Sequence, residues 1–578
     1  MPAPAPGSEP WLEDVAKDVG LDFVQWSGAA GRLDFLEMMG GGCALFDADG
    51  DGDLDVYLAQ GALLRPSDDG KTLVPLPKGE KGGLPMDRFY RNESTDGTLR
   101  FVDATGASGL VATGYGQGVA TGDVDGDGLL DVFVANYGPD QLWRSRGDGT
   151  FEDLTTSSAI AGDDRGWSAG GTFFDAEGDG DLDLFVISYV EWTSRDDRRC
   201  YDASSRLNFC GPEGYQGAVN RFYRNRGNGT FEDATTAAGM LLDGLPSLGV
   251  VAFDANEDHR LDLYVANDGQ VNRLWLQQPS GTFRDEALLA GLAVNGRGMA
   301  EAGMGLAAGD ADDDGDLDLF VSHLETETNT LYADLGGGLF EDRTLAYGLS
   351  ADSLAFTSFG TVFADLDLDG RLDLPVVSGA VRLPVERTPD LVPGPRSLGQ
   401  ANQLFVHLAD GPRGPRFEDR SELGGKDFLR LETSRGLALG DIDGDGDEDL
   451  LVTQIDAPVR LFRNRIGDGK PWLGVRVLEP AGRPDALRDA LGAVVSLQRE
   501  GGAPRVRRAA TDGSFACASD PRIRFALEGF GEVTGVSVRW TDGREETFAA
   551  PQPGGYTSLV RGRGLDEPRP AGSVSPQQ

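Results

Sequence analysis

One nine-residue frame recurs along the chain, Asp-x-Asp-x-Asp-Gly-x-x-Asp, first met as Asp47-Ala48-Asp49-Gly50-Asp51-Gly52-Asp53-Leu54-Asp55. Carboxylates at alternate positions of a tight loop can converge on one point. Converging negative charge needs a cation, and an all-oxygen ligand set suits a hard one such as Ca²⁺. Glycine at the sixth position permits the positive φ that lets the loop wrap. The frame returns at Asp123, Asp125, Asp127 and Asp131; at Asp175, Glu177, Asp179 and Asp183; and at Asp254, Asn256, Asp258 and Asp262. It returns again at Asp310, Asp312, Asp314 and Asp318; at Asp365, Asp367, Asp369 and Asp373; and at Asp441, Asp443, Asp445 and Asp449. Including Asp47, Asp49, Asp51 and Asp55, the expectation is up to seven Ca²⁺ ions. The fourth loop has the weakest claim, because His259 must take the positive φ that glycine takes freely.

These loops are not EF-hands, which close on a bidentate Glu at position twelve and lie between helices. Position twelve here is Leu58, Val134, Val186, Val265, Val321, Val376 and Val452. Each loop runs into an apolar or alternating stretch such as Asp131-Val132-Phe133-Val134, the pattern of a buried strand. The loops are therefore expected to join strand to strand.

A second repeat interleaves with the first. Asn220-Arg221-Phe222-Tyr223-Arg224-Asn225 leads through the turn Gly227-Asn228-Gly229-Thr230 to Phe231-Glu232-Asp233, a hairpin signal. Phe-x-Asp steps recur at Phe101, Phe151, Phe283, Phe340 and Phe417, but none follows the seventh loop. Leu12-Glu13-Asp14-Val15 fits the missing register, so the N-terminal strand is expected to complete the last repeat. A ring closed in this way leaves no exposed sheet edge. The expected fold is all-β: a seven-bladed β-propeller over 11–466, with insertions at Leu63–Met86, Tyr189–Ala218 and Val381–Ser397. A small β-domain follows over 467–564, where Trp472–Val477, Gly492–Leu497 and Gly535–Trp540 alternate like strands. Residues 1–10 read as a flexible leader and 565–578 as a disordered tail.

Composition narrows the partners. The chain of 578 residues carries 95 acidic against 52 basic side chains, a formal charge of -43. Such a surface disfavours nucleic acid, and no apolar run is long enough to be a transmembrane segment. The Pro/Ala/Gly/Ser leader resembles a linker after a removed signal or lipid anchor. Together with the calcium loops it points to a secreted, periplasmic or cell-surface protein. Of four cysteines, Cys200 and Cys210 flank a short loop and are expected to form a disulfide. Cys43 reads as a small buried residue, and Cys517 has no partner near it in sequence.

The segment Phe46–Asp55 resembles the FG-GAP (VCBS) repeat of integrin α-chain propellers and their bacterial relatives. Cys210-Gly211-Pro212-Glu213-Gly214-Tyr215, Glu301-Ala302-Gly303-Met304-Gly305-Leu306 and Glu327-Thr328-Asn329-Thr330-Leu331-Tyr332 are more specifically similar to the cartilage acidic protein family. The C-terminal region resembles the ASPIC/UnbV domain through Arg488–Ala493, Ser519-Asp520-Pro521-Arg522 and Val538–Arg544. The resemblance implies a secreted or surface-exposed, Ca²⁺-binding propeller with an appended β-domain. The UnbV name comes from enediyne biosynthesis clusters, which admits a pathway enzyme.

No Ser/His/Asp order, Walker loop, CxxC pair or HExxH motif is present. Two functions stand. In one, the ring is a module for a protein or glycan partner, held in shape by Ca²⁺. In the other it is a Ca²⁺-dependent hydrolase, lyase or cyclase of a small-molecule ligand, with His323, Glu325, Glu301 and Asp268 at the mouth of the ring. A structural, hydrogen-bonded role is the competing reading of His323. Met304 and Glu301 are expected to approach the fifth loop.

Overall fold

The computed structural model describes residues 9–29, 33–62, 64–66, 73–75, 86–95, 97–162, 166–193, 198–384, 395–411, 414–483 and 485–565. Most of the sequence-predicted leader, the tail after 565, and parts of the insertions at 63–86, 189–218 and 381–397 lie outside these residues.

Every acidic loop joins the first two strands of a four-stranded antiparallel sheet, and there are seven such sheets among the described residues. Their first strands are Cys43–Phe46, Tyr115–Gly122, Ser168–Phe174, Ser247–Phe253, Leu306–Gly309, Ser358–Thr361 and Ser434–Gly440, here blades 1 to 7. These strands touch one another in cyclic order, and Ser434–Gly440 returns to Cys43–Phe46. They are therefore the innermost strands of a closed ring. The ring shuts as the Phe-x-Asp count predicts: Leu12–Asp14 pairs antiparallel with Arg460–Asn464, Leu12 opposite Asn464 and Asp14 opposite Phe462. Arg460 fastens the seam with an ion pair to Asp14 at 2.8 Å.

Small residues let the inner strands converge. A Cβ on Gly42 would meet the Gln117 and Ala516 carbonyl oxygens at 2.7 Å, and one on Gly360 would meet the Leu437 amide at 2.7 Å. Aromatic steps fill the space between blades. Phe89 packs edge-on against Phe151 at 5.5 Å, and Phe222 against Phe283 at 5.7 Å.

Beyond the ring, two four-stranded sheets form the C-terminal region. Trp472–Pro480 pairs with Leu487–Asp489, Ile523–Ala526 and, in parallel, Tyr556–Val560. Val494–Arg499 and Val533–Arg539 are the central strands of the second sheet. Both sheets contribute to one core that includes Leu473, Val475, Val495, Val538 and Trp540.

This region also fills the ring. Residues Thr511–Asp520 form a hairpin closed at its base by the Ser519 amide donating to the Thr511 carbonyl at 2.9 Å. The hairpin meets six blades through hydrogen bonds. Ala518 exchanges backbone bonds with Cys43 and Leu45, and the Val119 amide donates to Ala516 at 3.0 Å. Asp512 accepts from the Thr172 hydroxyl at 3.0 Å and the Ala252 amide at 2.7 Å. Ser514 pairs with Leu306, and the Asp520 amide donates to Leu439 at 3.0 Å. The Phe515 ring packs edge-on against Phe359 of blade 6 at 4.9 Å. The channel is thus plugged by a segment from outside the propeller. Cys517, without a near partner in sequence, lies with its Sγ 3.2 Å from that of Cys43. The Cys200–Cys210 disulfide is formed. Among the described residues no helix is long and apolar enough to cross a membrane.

Candidate metal loops and roofed cavity

The two ends of the ring differ in chemistry. At one end the acidic loops gather carboxylates as their spacing requires. Asp47, Asp49 and Asp51 bring one oxygen each within 4.8 Å of one another, as do Asp123, Asp125 and Asp127. The same holds for Asp310, Asp312 and Asp318, for Asp365, Asp367 and Asp369, and for Asp441, Asp443 and Asp449. The first-position carboxylate wraps the loop by accepting its amides: Asp47 takes Gly50 at 2.8 Å and Gly52 at 3.2 Å.

The ninth-position carboxylate has a further role that the frame alone does not reveal. Asp55 accepts from Ala48 in its own loop at 3.1 Å and from Asn92 in the third strand at 2.8 Å. Asp131, Asp183, Asp262, Asp318 and Asp449 repeat the arrangement. Each is a clamp between loop and blade. Burial dominates the titration of these groups and pushes Asp55 and Asp262 up to about 8 and Asp183 up to about 9. Burial likewise raises Asp123 to about 6 and Asp310 and Asp365 to about 7.

Unmatched oxygens point to a cation. The third-position carboxylates Asp49, Asp125, Asp312 and Asp443 each bury one oxygen without a hydrogen-bond donor. Asp310 and Asp365 bury both; the Gly315 and Gly370 amides lie nearby without meeting hydrogen-bond geometry. Buried polar atoms are rarely left unpaired, and a hard cation is the partner this donor set fits.

The fourth loop supplies its own positive charge and donors. Asn256 donates to Asp258 at 3.0 Å, and Arg260 also binds Asp258. Arg539 stands 3.9 Å from Asp254. His259 takes φ 65°, as its place in the frame requires. The fourth position is equally left-handed, with Gly50 at 78°, Glu257 at 60°, Asp313 at 58° and Leu368 at 50°. Glu257→Gly is therefore expected to raise stability by about 0.5–1 kcal/mol, since a left-handed L-residue costs more than the chain entropy of glycine. Urea melts of the two proteins check this.

The C-terminal sheets sit on this acidic face and meet it with arginine. Arg483 binds Asp125 at 2.6 Å and Asp127 at 3.3 Å; the buried Arg488 lies 3.6 Å from Asp175. Arg522 donates to the Gly52 carbonyl at 2.9 Å, Arg505 to Asp369 at 3.1 Å and Arg507 to Gly370 at 3.2 Å. Tyr556 donates to Asp441 at 2.9 Å. The run Arg505-Val506-Arg507-Arg508, in so acidic a chain, is the sequence signal that could have placed this region over the loops.

The other end of the ring is not covered by the C-terminal sheets and holds a cavity of about 400 Å³. Its walls come from the far ends of the strands: Met38 and Met39 before blade 1, Tyr189 after the second strand of blade 3, Asp268 in blade 4, Met304 and Glu327 in blade 5, and Phe359 in blade 6. Phe515 of the plug packs beneath Phe359. The roof comes from two insertions that meet over the channel. Asn208 and Leu383 exchange hydrogen bonds at 2.8 and 3.2 Å, and Arg382 binds Glu213 at 3.0 Å. Tyr215 of the same roof stacks on Phe35 at 5.2 Å.

The sequence-predicted residues divide here. Asp268 lines the cavity; the Tyr189 hydroxyl donates to it at 2.6 Å, and burial pushes its carboxyl up to about 7. Glu325 lines a neighbouring depression with Asn208 and Arg382. His323 lies beneath the wall, 1% exposed, its Nδ1 2.9 Å from the Thr328 carbonyl. Burial lowers it to about 4, so it is neutral at physiological pH. Glu301 is 4.0 Å from His323 and accepts from the Thr330 hydroxyl at 3.1 Å. Met304 and Glu301 lie at the opposite end of the blade from the fifth loop, because they precede the strand that runs into it. Tyr189 ends the strand after its acidic loop and was a rim candidate from sequence; Glu213 and Glu327 were not singled out as site residues.

All three segments noted for their family resemblance contribute to this cavity, through Gly211–Glu213 and Tyr215, Ala302 and Met304, and Glu327. Comparison with known proteins agrees. The FG-GAP-like repeat model matches residues 47–134, 123–186, 254–321 and 310–376, and the ASPIC and UnbV model matches 483–565. Cartilage acidic protein 1 of Mus musculus is 24% identical over 488 residues, covering 75% of this chain and 71% of that protein. The Homo sapiens protein is 24% identical, covering 75% and 70%. The chain is thus similar to the cartilage acidic proteins over three quarters of its length, and it carries FG-GAP-like repeats and an ASPIC and UnbV region. Among solved structures, the chain is similar to PorZ, a bacterial surface component of the type-IX secretion system of Porphyromonas gingivalis. That likeness has 14% identity and a TM-score of 0.35, and covers 88% of this chain and 60% of PorZ.

Proposed function

We propose that this protein is an extracytoplasmic, calcium-binding propeller that serves as a protein- or glycan-binding module through its roofed cavity. The division between the two faces carries this reading: the acidic face is covered by the protein's own C-terminal sheets, and the opposite face gathers the family-specific segments around one cavity. Apolar walls with a few placed polar groups are the usual composition of a binding site. The walls here include Met38, Met39, Tyr189, Met304 and Phe359, and the polar groups are Glu213, Asp268, Gln270, Glu327 and Arg382. Glycan and peptide arrays probed with the intact protein and with Asp268→Asn test the assignment. The variant is expected to bind at least tenfold more weakly; equal binding would move the site elsewhere.

Calcium in this account is structural. The first, third and fifth positions of the loops would hold it, and the bound ion would neutralise carboxylates that otherwise repel. Asp310→Ala is expected to lower the melting temperature in saturating Ca²⁺ more than Asp254→Ala, because Asn256, Arg260 and Arg539 already serve the fourth loop. The reverse order in a thermal-shift series would contradict that ranking.

The enzymatic reading now rests on a single pair. Asp268 and Tyr189 share a short hydrogen bond in the cavity, and a carboxyl raised toward neutrality by burial suits general acid–base work. His323 and Glu301 take the structural role. A ligand found on the arrays that is turned over by the intact protein but not by Asp268→Asn would favour catalysis over binding.

A further inference from the structure

Cys43 and Cys517 are separated by 474 residues, one at the start of the innermost strand of blade 1 and the other in the hairpin that fills the channel. Their Sγ atoms stand 3.2 Å apart, and both side chains are buried, at 0% and 6% exposure. The backbone around them is held in register. Ala44 pairs in parallel with Ala518, the Ala518 amide donates to the Cys43 carbonyl at 2.9 Å, and the Leu45 amide donates to Ala518 at 3.1 Å. Strands paired in this way run about 4.8 Å apart, inside the Cα separation of roughly 4.4–6.8 Å that a disulfide spans.

We propose that Cys43 and Cys517 form a second disulfide, which ties the C-terminal hairpin covalently to the first blade. The chemistry is thiol–disulfide exchange with a small disulfide oxidant such as oxidised glutathione. One cysteine thiolate attacks the oxidant, forms a mixed disulfide and releases one glutathione thiolate. The second cysteine thiolate attacks the mixed disulfide, forms the Cys43–Cys517 bond and releases the other glutathione. The oxidant is thereby reduced to two thiols, which take up the two protons the cysteines lose. In the finished fold both sulfurs are shielded from solvent. The bond therefore forms as the hairpin enters the channel, while the thiols can still ionise and the oxidant can still reach them. Chain closure then becomes doubly secured: Leu12–Asp14 seals the ring by hydrogen bonds, and the Cys43–Cys517 bond fixes the plug within it.

The test uses the full-length chain folded in Ca²⁺ and a buffer of oxidised and reduced glutathione. The protein is denatured in acid, alkylated with N-ethylmaleimide and digested without reductant. Mass spectrometry is expected to show the Cys43 and Cys517 peptides joined, two hydrogens lighter than their sum, with neither sulfur alkylated. In Cys43→Ala the same treatment is expected to leave Cys517 fully alkylated, or held as its glutathione adduct. Recovery of both Cys43 and Cys517 as alkylated thiols from the wild-type chain overturns the proposal, whatever the state of Cys200 and Cys210.

Discussion

Treatment with EDTA is expected to lower the melting temperature of this protein by well over 10 °C, as the proposed calcium sites require. Each occupied site would stabilise the native state by about 2.7 kcal/mol when free ion exceeds Kd a hundredfold. At least five loops among the described residues bring three carboxylate oxygens within 4.8 Å of one another, so their contributions would accumulate. The pH dependence carries a sign that distinguishes metal from proton. Without metal, burial holds Asp310 and Asp365 at about 7 and Asp55 and Asp262 at about 8, far above the unfolded carboxylate near 4. Between those values the folded chain binds more protons than the unfolded one. The metal-free protein must therefore gain stability as pH falls from 8 to 5, and lose it as pH rises. In saturating Ca²⁺ the slope reverses over the same range, because protons then displace the ion. Melting curves at pH 5, 6, 7 and 8, with and without chelator, read both slopes. Parallel curves would remove the cation from the account.

Phe515→Ala is the substitution with the largest expected effect outside the loops. Its ring is 2% exposed, stacks edge-on against Phe359 and belongs to the same core cluster as Trp167, Tyr189 and Met304. Truncating a buried Phe costs about 3–5 kcal/mol. Here it also hollows the support beneath Phe359, a wall of the cavity. Guanidinium melts should show the loss, and ligand affinity should fall with it while calcium content stays unchanged. A loss under 1 kcal/mol would mean that the hairpin rests in the channel without being needed there.

The ring was legible from sequence because its determinants are local. A nine-residue frame sets each loop, alternation sets the strands beside it, and a missing Phe-x-Asp step assigns Leu12–Asp14 to the last blade. Cys200 and Cys210 were equally readable, since a short loop separates them. The plug was not. Thr511–Asp520 is rich in small residues, has no periodicity and takes its conformation from the six blades that hydrogen-bond to it. Cys517 found its partner 474 residues away for the same reason. The cavity was half legible. Asp268 could be placed at a strand end, but Glu213, Tyr215 and Arg382 reach the mouth on insertions from blades 3 and 6, whose meeting through Asn208 and Leu383 no local pattern announces. His323 was a candidate because it is one of only three histidines, and its burial against the Thr328 carbonyl was not legible from sequence. The ninth-position aspartates were read as ligands alone; their clamp to the third strand appears only once that strand is in place.

The most direct test of the central claim is the calcium content of the intact protein after exhaustive dialysis against a known free Ca²⁺ concentration, measured by elemental mass spectrometry. Five or more ions per chain is the expected result, matching the five carboxylate groups described. Less than one ion per chain, in a protein that still melts cooperatively, would contradict it.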